Sequence, residues 1–177
     1  EFLLIFIVQY LRKEFQWLIT EKDECPSLDT NGLEKFLRSS HDPFLGWTRR
    51  PNTCGMEKGK GGHVHFSIDD LGSRRLPGMS GIAPKIVSFG DSYTFCRQVE
   101  DNETWQYYLS NKLNNKVLNF GVGNYGVDQA LLRYERTELP ASVKVVILGF
   151  VPETICRIHS FWKHYLEFGN TFAFKPR

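Results

Sequence analysis

The chain has 177 residues, of which 41% are hydrophobic, 14% aromatic and 24% charged. This profile excludes a disordered tail, a collagen-like repeat and a coiled coil, and it suits one domain with a sizeable core. Lys and Arg number 22 against 20 Asp and Glu, a formal charge of +2, too near neutral to point to nucleic acid as a partner.

Residues 1–22 read as one helix, because Leu4, Val8, Leu11, Phe15 and Leu18 recur at helical spacing with Arg12, Lys13 and Glu14 off that stripe. The opening run Phe2-Leu3-Leu4-Ile5-Phe6-Ile7-Val8 is short of the roughly 20 residues that cross a bilayer. It is either part of the amphipathic helix or the end of a membrane anchor or signal segment. The chain opens on Glu1 rather than Met, which favours the second reading and, with it, membrane association and an anchored or exported location. Residues 23–40 are polar with a short helical piece at 33–37, so that 1–40 form an N-terminal helical segment.

Residues 41–83 form a loop-rich lead-in. Glycine is frequent (Gly46, Gly55, Gly59, Gly61, Gly62, Gly72, Gly78, Gly81) and one strand is expected at His63-Val64-His65-Phe66-Ser67-Ile68, before the turn Asp69-Asp70-Leu71-Gly72. From residue 84 the pattern is regular. Three apolar strands are expected, at Lys85-Ile86-Val87-Ser88-Phe89, at Lys116-Val117-Leu118-Asn119-Phe120 and at Val143-Lys144-Val145-Val146-Ile147-Leu148. Between them lie helices, one with Trp105, Tyr108, Leu109 and Leu113 on its inner face and Asp101 or Asn102 as its cap, the next with Ala130, Leu131 and Tyr134 inward. A third helix would carry Ile155, Ile158, Trp162 and Tyr165 or Leu166.

Apolar strands alternating with helices imply parallel pairing. The expected class is α/β, a three-layer α/β/α arrangement with a parallel sheet. Three strands are few for such a sheet. The chain stops at Lys175-Pro176-Arg177, just after Thr171-Phe172-Ala173-Phe174, so residues 84–177 read as a partial domain whose last strands lie beyond.

Sites in open α/β sheets form beyond the carboxyl ends of the strands. The three segments at that edge are Gly90-Asp91-Ser92-Tyr93-Thr94-Phe95, Gly121-Val122-Gly123-Asn124-Tyr125-Gly126 and Gly149-Phe150-Val151-Pro152-Glu153-Thr154. A serine on a tight strand-to-helix turn is held clear of the backbone and can attack a carbonyl if a base takes its proton. Outward N–H groups of glycine-rich turns can stabilise the resulting oxyanion.

Phe89-Gly90-Asp91-Ser92 behind a strand resembles the first block of the SGNH hydrolases, the GDSL esterase/lipase family. Asn119-Phe120-Gly121-Val122-Gly123-Asn124-Tyr125-Gly126-Val127-Asp128-Gln129 resembles the second. The lead-in is also similar to the segment that often precedes the nucleophile in bacterial members, at Asp42-Pro43-Phe44-Leu45-Gly46-Trp47, Arg50-Pro51-Asn52 and 66–74. The likeness spans residues 42–160 and implies an SGNH/flavodoxin-like fold.

It also implies roles. Ser92 would be the nucleophile, with its own N–H as one oxyanion donor and that of Asn124 or Gly123 as another. Asn124 stands where a glycine is usual. The third donor, an Asn side chain in the family, falls at Thr154 or Glu153. The family's Asp-x-x-His is missing: no Asp follows Asp128, and neither His159 nor His164 has an Asp three residues before it. The resemblance therefore implies that the base and its partner lie beyond residue 177.

Gly90 and Asp91 are expected to shape the nucleophile turn, Asp91 by accepting backbone N–H groups. Glu153 sits where the cleft should open. His63 and His65 lack a third ligand, Gly59-Lys60-Gly61-Gly62 lacks the GK[ST] of a phosphate loop, and the four cysteines (Cys25, Cys54, Cys96, Cys156) show no metal or redox spacing. No metal or cofactor is expected. The aromatic cluster Phe161, Trp162, Tyr165, Phe168, Phe172 and Phe174 reads as core or interface. The expected function is a serine ester hydrolase or acyltransferase acting through an acyl-enzyme on Ser92, with a small-molecule or carbohydrate ester as substrate. The alternative is a non-catalytic binding or scaffold module on the same fold.

Overall fold

The computed structural model describes residues 29–159 except the side chain of Glu153, together with Phe2, Leu3, Phe6, Tyr10 and Lys175. Most of the helix expected over 1–22, Cys25, His164 and the aromatic cluster after 160 lie outside the described residues. No described helix is long and apolar enough to cross a membrane.

The first helix, α1 (Thr30–Ser39), is longer than the piece expected at 33–37. Asp29 caps it, its carboxylate accepting the Gly32 N–H at 3.0 Å, and this saturates one of the donors left over at a helix start. Phe36 is its contribution to the core.

The lead-in holds more strand than the sequence suggests. Strands β1 (His41–Asp42) and β2 (Gly46–Trp47) pair antiparallel, and β3 (Cys54–Gly59) and β4 (Gly62–Ser67) form a hairpin. β3 has no apolar alternation because its inward positions are small or charged. A Cβ on Gly55 would lie 2.5 Å from the Phe66 ring, so the glycine is the seat on which that ring rests. The turn after β4 forms as expected, with Asp69 accepting N–H bonds from Leu71 and Ser73.

The three expected strands are β5 (Pro84–Gly90), β6 (Lys116–Asn119) and β7 (Val145–Gly149). They make one parallel sheet in the order β6-β5-β7, so the fold is mixed α/β. Between and after them come α2 (Ser92–Phe95), a 3₁₀ turn (Asp101–Glu103), α3 (Trp105–Leu113), α4 (Val127–Arg136) and a 3₁₀ helix (Pro152–Ile158).

Two helices turn differently from their expected faces. In α3 the buried residues are Gln106 and Ser110, while Tyr108 and Leu113 are exposed. The polar pair is inside because the sheet has backbone groups to satisfy there. Ser110 Oγ accepts the Val117 N–H at 3.0 Å, and the Gln106 amide donates to Ser88 Oγ and to the Thr94 carbonyl. The cap of α3 is Thr104, not Asp101 or Asn102, and Asp101 is committed instead to Ser67 and Arg74. In α4, Ala130 is inward as expected, but Gln129 and Arg133 are its buried neighbours and Leu131 is exposed.

The core runs from Val87 and Phe89 of β5 through Leu118, Phe120, Val122 and Tyr125 to Ala130, Leu45 and Trp47. Phe89 stacks on Phe120 with ring centroids 5.1 Å apart. Burial of each such side chain contributes about 1.5–3 kcal/mol. Hydrogen bonds fix the lead-in to this core. Tyr125 Oη donates to the Trp47 carbonyl at 2.6 Å, the Trp47 indole donates to the Gly123 carbonyl at 3.0 Å, and Gln129 donates to the Leu45 carbonyl at 2.7 Å. The wholly enclosed guanidinium of Arg133 reaches the Phe120 and Gly72 carbonyls.

Candidate active site

The turn that carries Ser92 is built from a notch that only glycine leaves open. A Cβ on Gly90 would fall 2.1 Å from Thr94 Oγ1 and 2.4 Å from the Gly149 carbonyl oxygen, and one on Gly149 would fall 2.4 Å from Thr94 Oγ1. Thr94 therefore plugs the space between the ends of β5 and β7. Asp91, buried, caps α2: its Oδ1 accepts the Tyr93 N–H at 2.9 Å and its carbonyl accepts the Phe95 N–H at 2.9 Å. Ser92 follows directly and is half-buried.

The far end of α2 is held by Arg74. Its buried guanidinium donates to the carbonyls of Phe95, Cys96 and Val99, while Nε meets Asp101 at 2.7 Å. A buried guanidinium is stable only when nearly all its donors are matched, and here two of them hold the end of the helix that opens with Ser92.

The second turn presses against the first. A Cβ on Gly121 would lie 2.3 Å from the Phe95 nitrogen, so backbone meets backbone. Asn119 supports the contact, its Oδ1 accepting the Gly121 N–H at 3.0 Å. Beyond it a turn closes from Tyr125 N–H to the Val122 carbonyl, with Asn124 left-handed at φ 67. Asparagine is among the few non-glycine residues that tolerate this conformation.

These turns open on a cavity of about 510 Å³ whose walls include Ser92, Tyr93 and Cys96 from α2 and its end, Trp105, Asn124 and Arg157. Ser92 and Asn124, predicted separately from two motifs, thus share one crevice. No family model and no curated protein matches this chain. The assignment of roles therefore rests on geometry and on the motifs.

Gly123 lies beside the cavity without lining it, its carbonyl taken by the Trp47 indole. Thr154 is also absent from the walls. It is buried, and its hydroxyl donates to the Val151 carbonyl at 2.8 Å, holding the start of the 3₁₀ helix together. The side chain of Glu153 lies outside the described residues. The third turn reaches the cavity instead through Arg157, which the sequence reading passed over. Arg157 Nη1 donates to the Tyr125 carbonyl at 3.3 Å and stands 3.8 Å from Asp91 Oδ2. The only sequence signal for it was a positive charge set between Ile155 and Ile158 on the element leading off the sheet's carboxyl edge. Arg97, Gln98, Val99 and Glu103 complete the walls.

Cys96 is the other nucleophilic atom in the cavity. Burial pushes its thiol above the ordinary range, which disfavours the thiolate that nucleophilic attack needs. His159 is exposed and does not line the cavity. His63 and His65 sit on exposed positions of β4, and among the described residues no group of three or more His, Cys, Asp or Glu could hold a metal.

One charged cluster lies behind the site. Glu57 accepts from Arg49 at 2.6 Å and from Arg97 at 2.8 Å. Burial raises its carboxyl, but the hydrogen bonds and charges of the two arginines outweigh this and hold it below its ordinary value. Arg49 in turn lies over the Phe66 and Phe95 rings, 4.1 Å from each centroid.

Proposed function

We propose that this chain carries the nucleophile of a serine ester hydrolase or acyltransferase of SGNH type. The observation that carries the reading is the meeting of Ser92 and Asn124 in one cavity at the carboxyl edge of a parallel sheet. Ser92 Oγ attacks the ester carbonyl carbon, the carbonyl π pair moves to oxygen, and the serine proton passes to a base of imidazole class. Collapse expels the alcohol and leaves an acyl-serine, which water or a sugar hydroxyl then cleaves. The N–H groups of Ser92 and Asn124 donate to nothing among the described residues, which suits them to an oxyanion. The substrate class fitted to this chemistry is a small-molecule or carbohydrate ester.

The three-layer SGNH/flavodoxin-like architecture belongs to the same proposal. It is supported by β5, whose successive side chains meet different helices: Ser88 meets Gln106 of α3, and Phe89 meets Tyr134 of α4.

The second reading, a binding or scaffold module that keeps the fold without catalysis, has its own support. No histidine lines the cavity among the described residues, and Thr154 spends its hydroxyl on Val151. Labelling the intact protein with a fluorophosphonate separates the two. Stoichiometric labelling lost in Ser92→Ala is expected. If the parent does not label, or Ser92→Ala labels equally, the hydrolase reading fails.

A further inference from the structure

Arg157 links the three segments around Ser92. It belongs to the 3₁₀ helix that follows β7. Its guanidinium donates to the Tyr125 carbonyl of the second turn and stands 3.8 Å from Asp91 of the first. Its own carbonyl accepts from the Lys175 ammonium, which also meets Asp128 Oδ2 at 2.8 Å, so its backbone is fixed from outside the 3₁₀ helix.

Among the described residues, the guanidinium is only partly committed. Asp91 Oδ1 is occupied by the Tyr93 N–H, while the buried Oδ2 has no hydrogen-bond partner among the described residues. At 3.8 Å that oxygen balances the arginine's charge without closing a hydrogen bond. A guanidinium has five N–H donors in a rigid fork, and one of Arg157's is given to Tyr125. Arg157 lies in the cavity wall with Ser92 and Asn124. Arg97, the other wall arginine, is tied to Glu57 and half-exposed, so solvent screens it more strongly.

We infer that Arg157 is the third oxyanion donor of the site, the role the family resemblance placed at Thr154 or Glu153. The inference rests on Ser92 being the nucleophile. As Oγ bonds the carbonyl carbon, negative charge gathers on the carbonyl oxygen between the Ser92 and Asn124 N–H groups. A fixed cation in the wall favours that state over the neutral ester.

The test uses the intact protein, a neutral ester (4-nitrophenyl acetate) and a fluorophosphonate. Arg157→Lys and Arg157→Ala are expected to lower kcat by roughly 10²–10³-fold with KM nearly unchanged, and to slow phosphonylation in parallel. Millimolar methylguanidinium restores part of the rate to Arg157→Ala. A variant that keeps the parental kcat, or one that changes KM alone, overturns the inference while leaving Ser92's role intact. So does a rate loss that tracks a lowered melting temperature and that methylguanidinium does not relieve, because that marks a purely structural side chain. A parent that never labels at Ser92 removes both readings together.

Discussion

Replacing Gly121 with alanine tests the contact that joins the first two turns. The new Cβ would lie 2.3 Å from Phe95 N, 2.7 Å from Thr94 C and 2.8 Å from Phe95 Cα. All three are backbone atoms of the turn carrying Ser92, so no rotamer change relieves the clash. Ordinary contact is about 3.5–4 Å, and the second turn must therefore retreat by roughly 1 Å. That movement also strains the bond from the Gly121 N–H to Asn119 Oδ1. Overpacking of a fixed backbone costs about 1–3 kcal/mol, and the upper end is expected here. At about 2–4 °C per kcal/mol for a chain of this size, the melting temperature falls by roughly 6–12 °C. Gly61→Ala is the control. Its Cβ meets nothing within 4 Å, and a shift below about 0.5 kcal/mol is expected. Thermal unfolding followed by near-ultraviolet circular dichroism reads both, and the phosphonylation rate of Gly121→Ala should fall as Asn124 is carried away from Ser92. Equal melting temperatures for the two variants would refute the close approach.

Other predictions follow from single buried groups. Burial pushes the Tyr125 hydroxyl up to about 12, above the roughly 10 of an unfolded tyrosine. The stability it contributes is complete below pH 10 and is lost as pH rises through 12, by about 2–3 kcal/mol. Tyr125→Phe should abolish that alkaline slope and cost about 1–3 kcal/mol at neutral pH, since the Trp47 carbonyl loses its donor; urea unfolding at pH 7 and pH 11 measures both. Glu57, held below its ordinary value, stabilises the fold above the unfolded pKa of about 4.3 and ceases to as pH falls through its folded value. Glu57→Gln should therefore flatten the acid limb of a stability–pH curve. Asn124→Gly should leave stability within about 1 kcal/mol, whereas Asn124→Val costs about 1–2 kcal/mol for its left-handed backbone. If the backbone N–H is what serves, Asn124→Gly also keeps the labelling rate.

The sheet was legible because β5, β6 and β7 are apolar runs ending in glycine or asparagine turns, the pattern of parallel strands joined by helices. Ser92 and Asn124 were legible for a related reason: a strand end followed by small residues marks a turn. The orientation of α3 was not, because hydrophobic spacing assumes apolar residues face in, and here Gln106 and Ser110 are needed inside for the backbone groups at Thr94 and Val117. β3 was hidden by Gly55, whose role depends on a ring 11 residues away. Arg157 was hidden because its place is set by tertiary contacts with Tyr125 and Asp91, neither of which local pattern records.

Arg74 has a bearing on how the protein can be dissected. It sits seven residues past β4, in the stretch that reads from sequence as an irregular preamble, yet its guanidinium reaches the carbonyls just behind Ser92. A version starting at Pro84 would keep every strand of the parallel sheet and still leave three main-chain oxygens and the Asp101 carboxylate without the guanidinium they share. The preamble and the sheet are thus one folding unit, and any excised or grafted piece that carries Ser92 has to begin well upstream of its first motif.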